Sequence, residues 1–273
     1  MPNVSEGRDK AILDACAAAI EDAGATLAHR TSDDVHHRSV FTFFGDAKAV
    51  GDAALALARV TTEKIDLREH RGAHPRIGAL DVLPFVPLGD ATMDDAVKLA
   101  RGTAKRIWDE LHVPSVFYAN AAASPQRRLL ADVRTGEFEG LIERGHRGGP
   151  PDVGDVQAHP SAGAIAVGAR DFLIAFNVVL RTGDLGIARD IARCLRERNG
   201  GLRTLRALGI KLGDFHTQIS CNITDVHATP LHRVVGLIRT HAARYGVGIE
   251  GCELIGLIPR AALNSLAAHE LGG

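Results

Sequence analysis

Residues 172–180, Phe172-Leu-Ile-Ala-Phe-Asn-Val-Val-Leu180, form an apolar run interrupted only by Asn177, and read as a strand. The stretch opens a regular series. Residues 185–198 carry a helical stripe stopped by Gly200-Gly201. Residues 205–212 and 218–223 are strands joined near Gly213-Asp214. Residues 230–245 form a helix with proline in its first turn, and 248–257 a last strand. That order, βαββαβ, is the split-βαβ or ferredoxin-like plan. Upstream, residues 145–163 hold Gly148-Gly149-Pro150-Pro151, Gly154, Pro160 and Gly163 without periodicity, which predicts a long functional loop. Before the loop, helices are predicted at 10–23, 47–60 and 92–111, the last opened by a Thr92/Asp95 capping box, and strands at 39–44, 82–86 and 115–118. Much of the same order recurs in this half. The expected fold is therefore α+β, with two α/β subdomains over 1–169 and 170–273, mixed or antiparallel sheets, and a crevice between the sheets. No sequence repeat of 20–50 residues is present.

The 273 residues suffice for a sizeable core. Lys plus Arg number 32 and Asp plus Glu 33, so the balanced charge offers no footprint for nucleic acid or an anionic membrane. Aromatics make up 4%, too few for base-stacking platforms. Cys16, Cys194, Cys221 and Cys252 are scattered, with no CxxC pair and no secretory leader, which predicts reduced thiols and a cytoplasmic location. No apolar run reaches the ~18 residues of a membrane span.

Chemistry concentrates in residues 66–87, where three Arg, two His and three acids lie between Asp66 and Asp81, punctuated by Gly72, Pro75 and Gly78. His70 and His74 have helical spacing, but Pro75 argues against a helix that would align them, and no HExxH or similar spacing predicts a metal site. What remains is His74 as a lone acid/base ringed by Arg68, Arg71 and Arg76. Imidazole exchanges protons near neutrality, and guanidinium suits a substrate that bears carboxylates. The small residues of 163–169 let backbone approach a flat ligand; equally, they suit a tight strand entry. A Rossmann reading of Gly163–Arg170 fails, because the stretch enters a strand rather than a helix.

Seven ordered motifs resemble the formiminotransferase domain family: Pro2-Asn3-Val4-Ser5-Glu6-Gly7, Arg38 to Phe43, Asp66 to Pro87, Arg134-x-Gly136-Glu137-Phe138-Glu139, Pro151-Asp152-x-Gly154, Gly163 to Asn177, and Leu254-Ile255-Gly256-Leu257. They cover practically the whole chain. The resemblance implies two subdomains facing each other across a folate tunnel, usually in a homodimer. It implies transfer of the formimino group from N-formimino-L-glutamate to N5 of tetrahydrofolate, a step of histidine breakdown. His74 of the His-Pro-Arg motif would be the acid/base. Gly163, Ala164, Gly168, Ala169, Arg170 and Phe172 would contribute to the folate site, and Arg38, Arg68 and Arg76 are candidates for holding the donor. Tetrahydrofolate is a co-substrate, and no metal is implied. Transfer of a formyl group from N-formylglutamate or 5-formyltetrahydrofolate, or folate binding without catalysis, remain open alternatives.

The chain also departs from the family pattern. His37 stands where the family has Asn, and Ala119-Asn120-Ala121-Ala122 replaces Gly-Glu-Ala-Ala. Thr31 falls where some members carry an acid near the catalytic His, so Asp33 or Asp34 is the expected substitute. Asp171 stands where a basic residue is common. Members enter the first motif from an apolar strand, whereas Met1 directly precedes Pro2. Either the natural product starts upstream, or the first strand is short with its edge capped by other structure. Without the cyclodeaminase domain that some members carry, 5-formimino-tetrahydrofolate is expected to pass to another enzyme.

Overall fold

The structure, a computed structural model that describes residues 1–146 and 149–272, pairs the predicted strands into two sheets. Residues 147 and 148 of the predicted long loop lie outside the described residues. The chain divides into two units, Met1–Asp171 and the part from Phe172 onward, each with its own core, and the class is α+β.

In the first unit the order is β1 (Asn3–Val4), α1 (Lys10–Asp22), β2 (Thr26–Asp33), β3 (Arg38–Phe44), α2 (Ala47–Lys64) and β4 (Leu80–Phe85). This is itself βαββαβ. It continues through α3 (Met93–Leu111), β5 (Ser115–Ala119), the short α4 (Leu130–Val133), α5 (Glu137–Arg144) and β6 (Ile165–Ala169). The sheet order is β2-β3-β1-β4-β6-β5, antiparallel from β2 to β4 and parallel across β4, β6 and β5. The second unit runs β7 (Ile174–Leu180), α6 (Leu185–Leu195), β8 (Leu205–Lys211), β9 (Thr217–Ile223), α7 (Leu231–Arg244), β10 (Ile249–Ile255) and α8 (Arg260–Glu270). Its sheet, β10-β7-β9-β8, is antiparallel throughout. Both units thus place their fourth, first, third and second strands side by side, and the first adds a parallel pair beyond its fourth.

The short first strand is internal rather than an edge needing a cap. Asn3 faces Val40 on one side and Val82 on the other, and Val4 faces Ser39 and Leu80. Phe41 N donates to Pro2 O (3.1 Å) and Ser5 N to Ala79 O (2.8 Å), which extends the pairing beyond the two-residue strand. Strand β2 escaped the sequence reading because it lies at the sheet edge, where Thr-Leu-Ala-His-Arg-Thr-Ser-Asp shows no apolar alternation. Helix α8 escaped for the same reason, since Ala262 is its one fully buried apolar residue.

Local chemistry sets the helix starts. Asp9 accepts from Ala11 N and Ile12 N, Asp46 from Ala49 N, and Asp184 from Gly186 N. The capping box is formed: Thr92 Oγ1 accepts from Asp95 N (3.2 Å), and the Asp95 carboxylate accepts from Thr92 N (3.0 Å). Phe41, Leu57, Leu83, Ile107, Ile165 and Val167 fill the main core of the first unit. Ile174, Phe176, Val178, Ile219 and Ile223 meet Ile191, Leu195, Val234 and Ile238 of α6 and α7 in the second. Each such side chain contributes about 1.5–3 kcal/mol when fully buried.

Strand β5 ends at Ala119 with φ +54°, a left-handed conformation that a Cβ disfavours, at the position where the family pattern has glycine. Relief of ~1–2 kcal/mol of backbone strain outweighs the ~0.4–1 kcal/mol of extra unfolded-chain entropy. Ala119→Gly should therefore raise unfolding stability in urea by about 0.5–1 kcal/mol, whereas Ala119→Val should lower it. Loss of stability in the glycine variant would contradict the strain assignment.

Candidate active site

The 65–79 connection is threaded through backbone too close for side chains. A Cβ on Gly72 would lie 2.4 Å from His36 O, and one on Gly78 2.2 Å from Ala164 O. Gly163, at φ +71°, has Ile77 O at 2.0 Å from the Cβ position. Hydrogen bonds follow the same path: Leu67 N to Ser161 O (2.9 Å), Ala73 N to Val35 O (3.1 Å), Ala79 N to Ala162 O (2.9 Å) and Ala164 N to Ile77 O (3.0 Å). The glycines punctuate this loop because it is pinned between the β2–β3 turn and residues 161–164. That turn carries His37 at φ +49°, a region in which Asn and His are tolerated better than most residues, which accounts for His where the family has Asn.

Pinning delivers His74 to the start of β3. Its Nδ1 lies 2.9 Å from Pro75 O, and its Nε2 meets the guanidinium of Arg38. A carbonyl only accepts and a guanidinium only donates, so the two contacts together assign the neutral tautomer with the proton on Nδ1 and the lone pair on Nε2. Burial pushes the His74 pKa well below its ordinary 6.5, and the charges of Arg38 and Arg134 push it further. Arg38 is itself lowered to about 9, by burial and then by the charge of Arg134, and stays protonated at neutrality. Arg134 pairs with Asp81, an acid buried in β4 that also accepts from Ile77 N (2.8 Å).

The arginines expected to ring His74 go elsewhere. Arg68 lies on Asp66 (2.8 and 3.0 Å) at the surface, and Arg71 donates to Arg68 O (3.0 Å) and His70 O (2.8 Å). Arg76 is buried on Glu139 (2.7 and 2.9 Å), Glu137 (3.2 Å) and His70 Nδ1 (3.0 Å). Acids claim Arg68 and Arg76, backbone carbonyls take Arg71, and Arg38 and Arg134 take their place around the imidazole. Asp33 does not support His74 either, for its carboxylate receives His36 N (2.7 Å) and lies 2.9 Å from His36 Nδ1. The His36 ring centroid is 6.1 Å from that of His74. Arg134 and Asp81 were missed by the sequence reading; the signal was a lone acid inside an apolar strand. A separate open cavity of about 360 Å³ is lined by His70, Arg71, Gly72, Arg76, Gly136, Glu137 and Glu139. Among the described residues, no group of three or more His, Cys, Asp or Glu could hold a metal ion, and no helix is long and apolar enough to cross a membrane.

Of the predicted folate stretch, Gly163 and Ala164 adjoin the loop that bears His74 through Ile77, and Gly168 and Ala169 lie in the buried strand β6. Ala169 is level with Phe85 of β4 and Ala119 of β5, so it marks the carboxyl end of the parallel trio, and Arg170 N donates to Phe85 O (3.0 Å). Phe172 is exposed and opens the second unit. The space beside Gly168 is filled by Tyr118, whose Cε1 would lie 2.4 Å from a Cβ. A Cβ here would overlap the Tyr118 ring, which gives this glycine a packing role in the sheet.

The description "Formiminotransferase domain, N-terminal subdomain" matches residues 1–170, and "Formiminotransferase domain" matches 175–271. The chain belongs to the formiminotransferase domain family. It is 42% identical to a glutamate formimidoyltransferase of Streptococcus pyogenes serotype M1, over 99% of this chain and 92% of that protein. It is 41% identical to one of Thermoplasma acidophilum, over 99% and 91%. A formimidoyltransferase-cyclodeaminase of Rattus norvegicus is 38% identical over 98% of this chain and 51% of its own length. In this formiminotransferase fold Gly168→Ala should lower unfolding stability by more than about 1 kcal/mol, because a Cβ overpacks Tyr118. The double variant Gly168→Ala/Tyr118→Leu should recover part of the loss. A single variant as stable as the parent in urea would contradict this packing role.

Proposed function

We propose that this chain transfers the formimino group of N-formimino-L-glutamate to N5 of tetrahydrofolate and releases L-glutamate, with His74 as the acid/base. The carrying observation is the His74 imidazole, neutral and with its Nε2 lone pair toward Arg38, in a chain aligned from end to end with glutamate formimidoyltransferases. N5 attacks the amidine carbon and forms the new C–N bond. The Nε2 lone pair takes the proton from N5. The resulting imidazolium returns it to the glutamate nitrogen as the old C–N bond breaks, so the proton count closes and His74 ends neutral. Arg38 would shift toward the substrate while Nε2 holds the proton, since two cations cannot share that contact.

Tetrahydrofolate would lie against Gly163–Phe172. The carboxyl ends of parallel strands are where open sheets bind ligands, and β4, β6 and β5 end together at Phe85, Ala169 and Ala119. Arg38 is the donor-holding candidate, because Arg68 and Arg76 are already paired with acids. The same reading makes the protein a cytoplasmic homodimer of histidine breakdown.

An assay with tetrahydrofolate and either N-formimino- or N-formyl-L-glutamate, following glutamate release, should show turnover with the formimino donor. His74→Ala should lose about 10²–10⁴-fold in kcat and still bind tetrahydrofolate. More than about a tenth of the parent's turnover in that variant would remove His74 from the acid/base role. The base must be neutral, so kcat/KM should fall as pH drops through the lowered His74 pKa, placing the acid limb below 6.5. An acid limb above 7 would contradict the assignment.

A further inference from the structure

Around His74 the structure gathers two guanidiniums and one carboxylate. Arg134 is paired with Asp81, whereas the partner of Arg38 is a neutral imidazole, and Nε of each arginine is buried without a hydrogen-bond partner among the described residues. The buried arginines of the unit are neutralised: Arg76 by Glu137 and Glu139, Arg127 by Asp152 (2.9 Å). Asp33 also acts on Arg38, but its carboxylate is already held by His36. A buried cation in excess is costly unless an anion joins it. His74, Arg38 and Arg134 are each half-buried as whole residues rather than sealed in the core.

We propose that Arg38 and Arg134 jointly bind a carboxylate of the amino-acid donor, with Asp81 positioning Arg134. This rests on the function proposed above. In an N-formimino amino acid, one nitrogen and the α-carbon separate the amidine carbon from the α-carboxylate. An anion held beside His74 therefore brings the reacting carbon to the acid/base. The carboxylates of tetrahydrofolate lie at the far end of its p-aminobenzoyl arm from N5, so the donor is the source that fits. A bound carboxylate would also cancel the excess charge that holds His74 down, making it a stronger base when the donor is present.

The test compares the parent with Arg134→Lys, which keeps a cation on Asp81 but loses the planar fork. The variant should raise KM for the formimino donor, and the dissociation constant of L-glutamate by calorimetry, about tenfold or more, while KM for tetrahydrofolate stays within about twofold. Tetrahydropteroate, which lacks the glutamyl tail, should behave like tetrahydrofolate. In the parent, the acid limb of kcat should lie at higher pH than that of kcat/KM, because the first reports the occupied site. Unchanged L-glutamate affinity and donor KM in the folded variant would overturn the proposal, as would coincident acid limbs in the parent. So would a loss of tetrahydrofolate binding not seen with tetrahydropteroate, which would assign the arginines to the folate tail. If the parent shows no turnover, the proposed function fails, and L-glutamate calorimetry on parent and variant still decides the anion site. If Arg134→Lys fails to fold, the pH limbs of the parent decide it.

Discussion

Arg38 donates to Nε2 of His74 while Nδ1 donates to the carbonyl of Pro75, and these two contacts fix at once the orientation, tautomer and charge of the group to which the proposed mechanism assigns the proton transfer. An imidazole held between a guanidinium and a carbonyl has no acid to stabilise its protonated form. Burial and the neighbouring cations therefore keep it neutral. The usual acid/base histidine is oriented by a carboxylate; here the acids nearby are committed elsewhere, Asp33 to His36 and Asp81 to Arg134. Such a base would be weak in the empty site and would gain strength when a bound anion offsets the arginines.

The fold supplies those contacts through its topology. Strand β1, only two residues long, lies between β3 and β4 and draws the start of β3, where Arg38 stands, toward the strand that carries Asp81. The loop bearing His74 runs from α2 into β4 and is fastened by carbonyls at glycines 72, 78 and 163, none of which leaves room for a Cβ. Helix α5 brings Glu137 and Glu139 onto Arg76, and residue 134 just before it reaches Asp81. A Cβ at any of these glycines would overlap backbone and displace the loop that holds the imidazole.

The second unit was legible strand by strand because β7 is a nearly continuous apolar run, β9 alternates through Ile219, Cys221 and Ile223, and α6 and α7 keep a period of 3.6, with glycine and proline at the joints. The same plan in the first unit was only half legible. Strand β2 is a polar edge, and the parallel pair β5 and β6 interrupts the order with an extension. His74 stood out through its Pro and Arg neighbours, and Arg38 entered through a family motif. The arginines adjacent in sequence were the wrong guide to the charge around the imidazole. Proximity along the chain does not choose between partners, and Arg68 and Arg76 found carboxylates at residues 66, 137 and 139. Arg134 lies far from His74 in sequence, and only the fold brings the two together.

The most direct test is nitrogen-15 NMR of the His74 imidazole in the ligand-free protein across pH, beside Arg38→Met. A neutral ring with its proton on Nδ1 is expected, titrating well below 6.5 in the parent and moving upward in the variant as the adjoining charge is removed. A ring protonated on Nε2 when neutral, or a parent pKa at or above 7, would contradict the account.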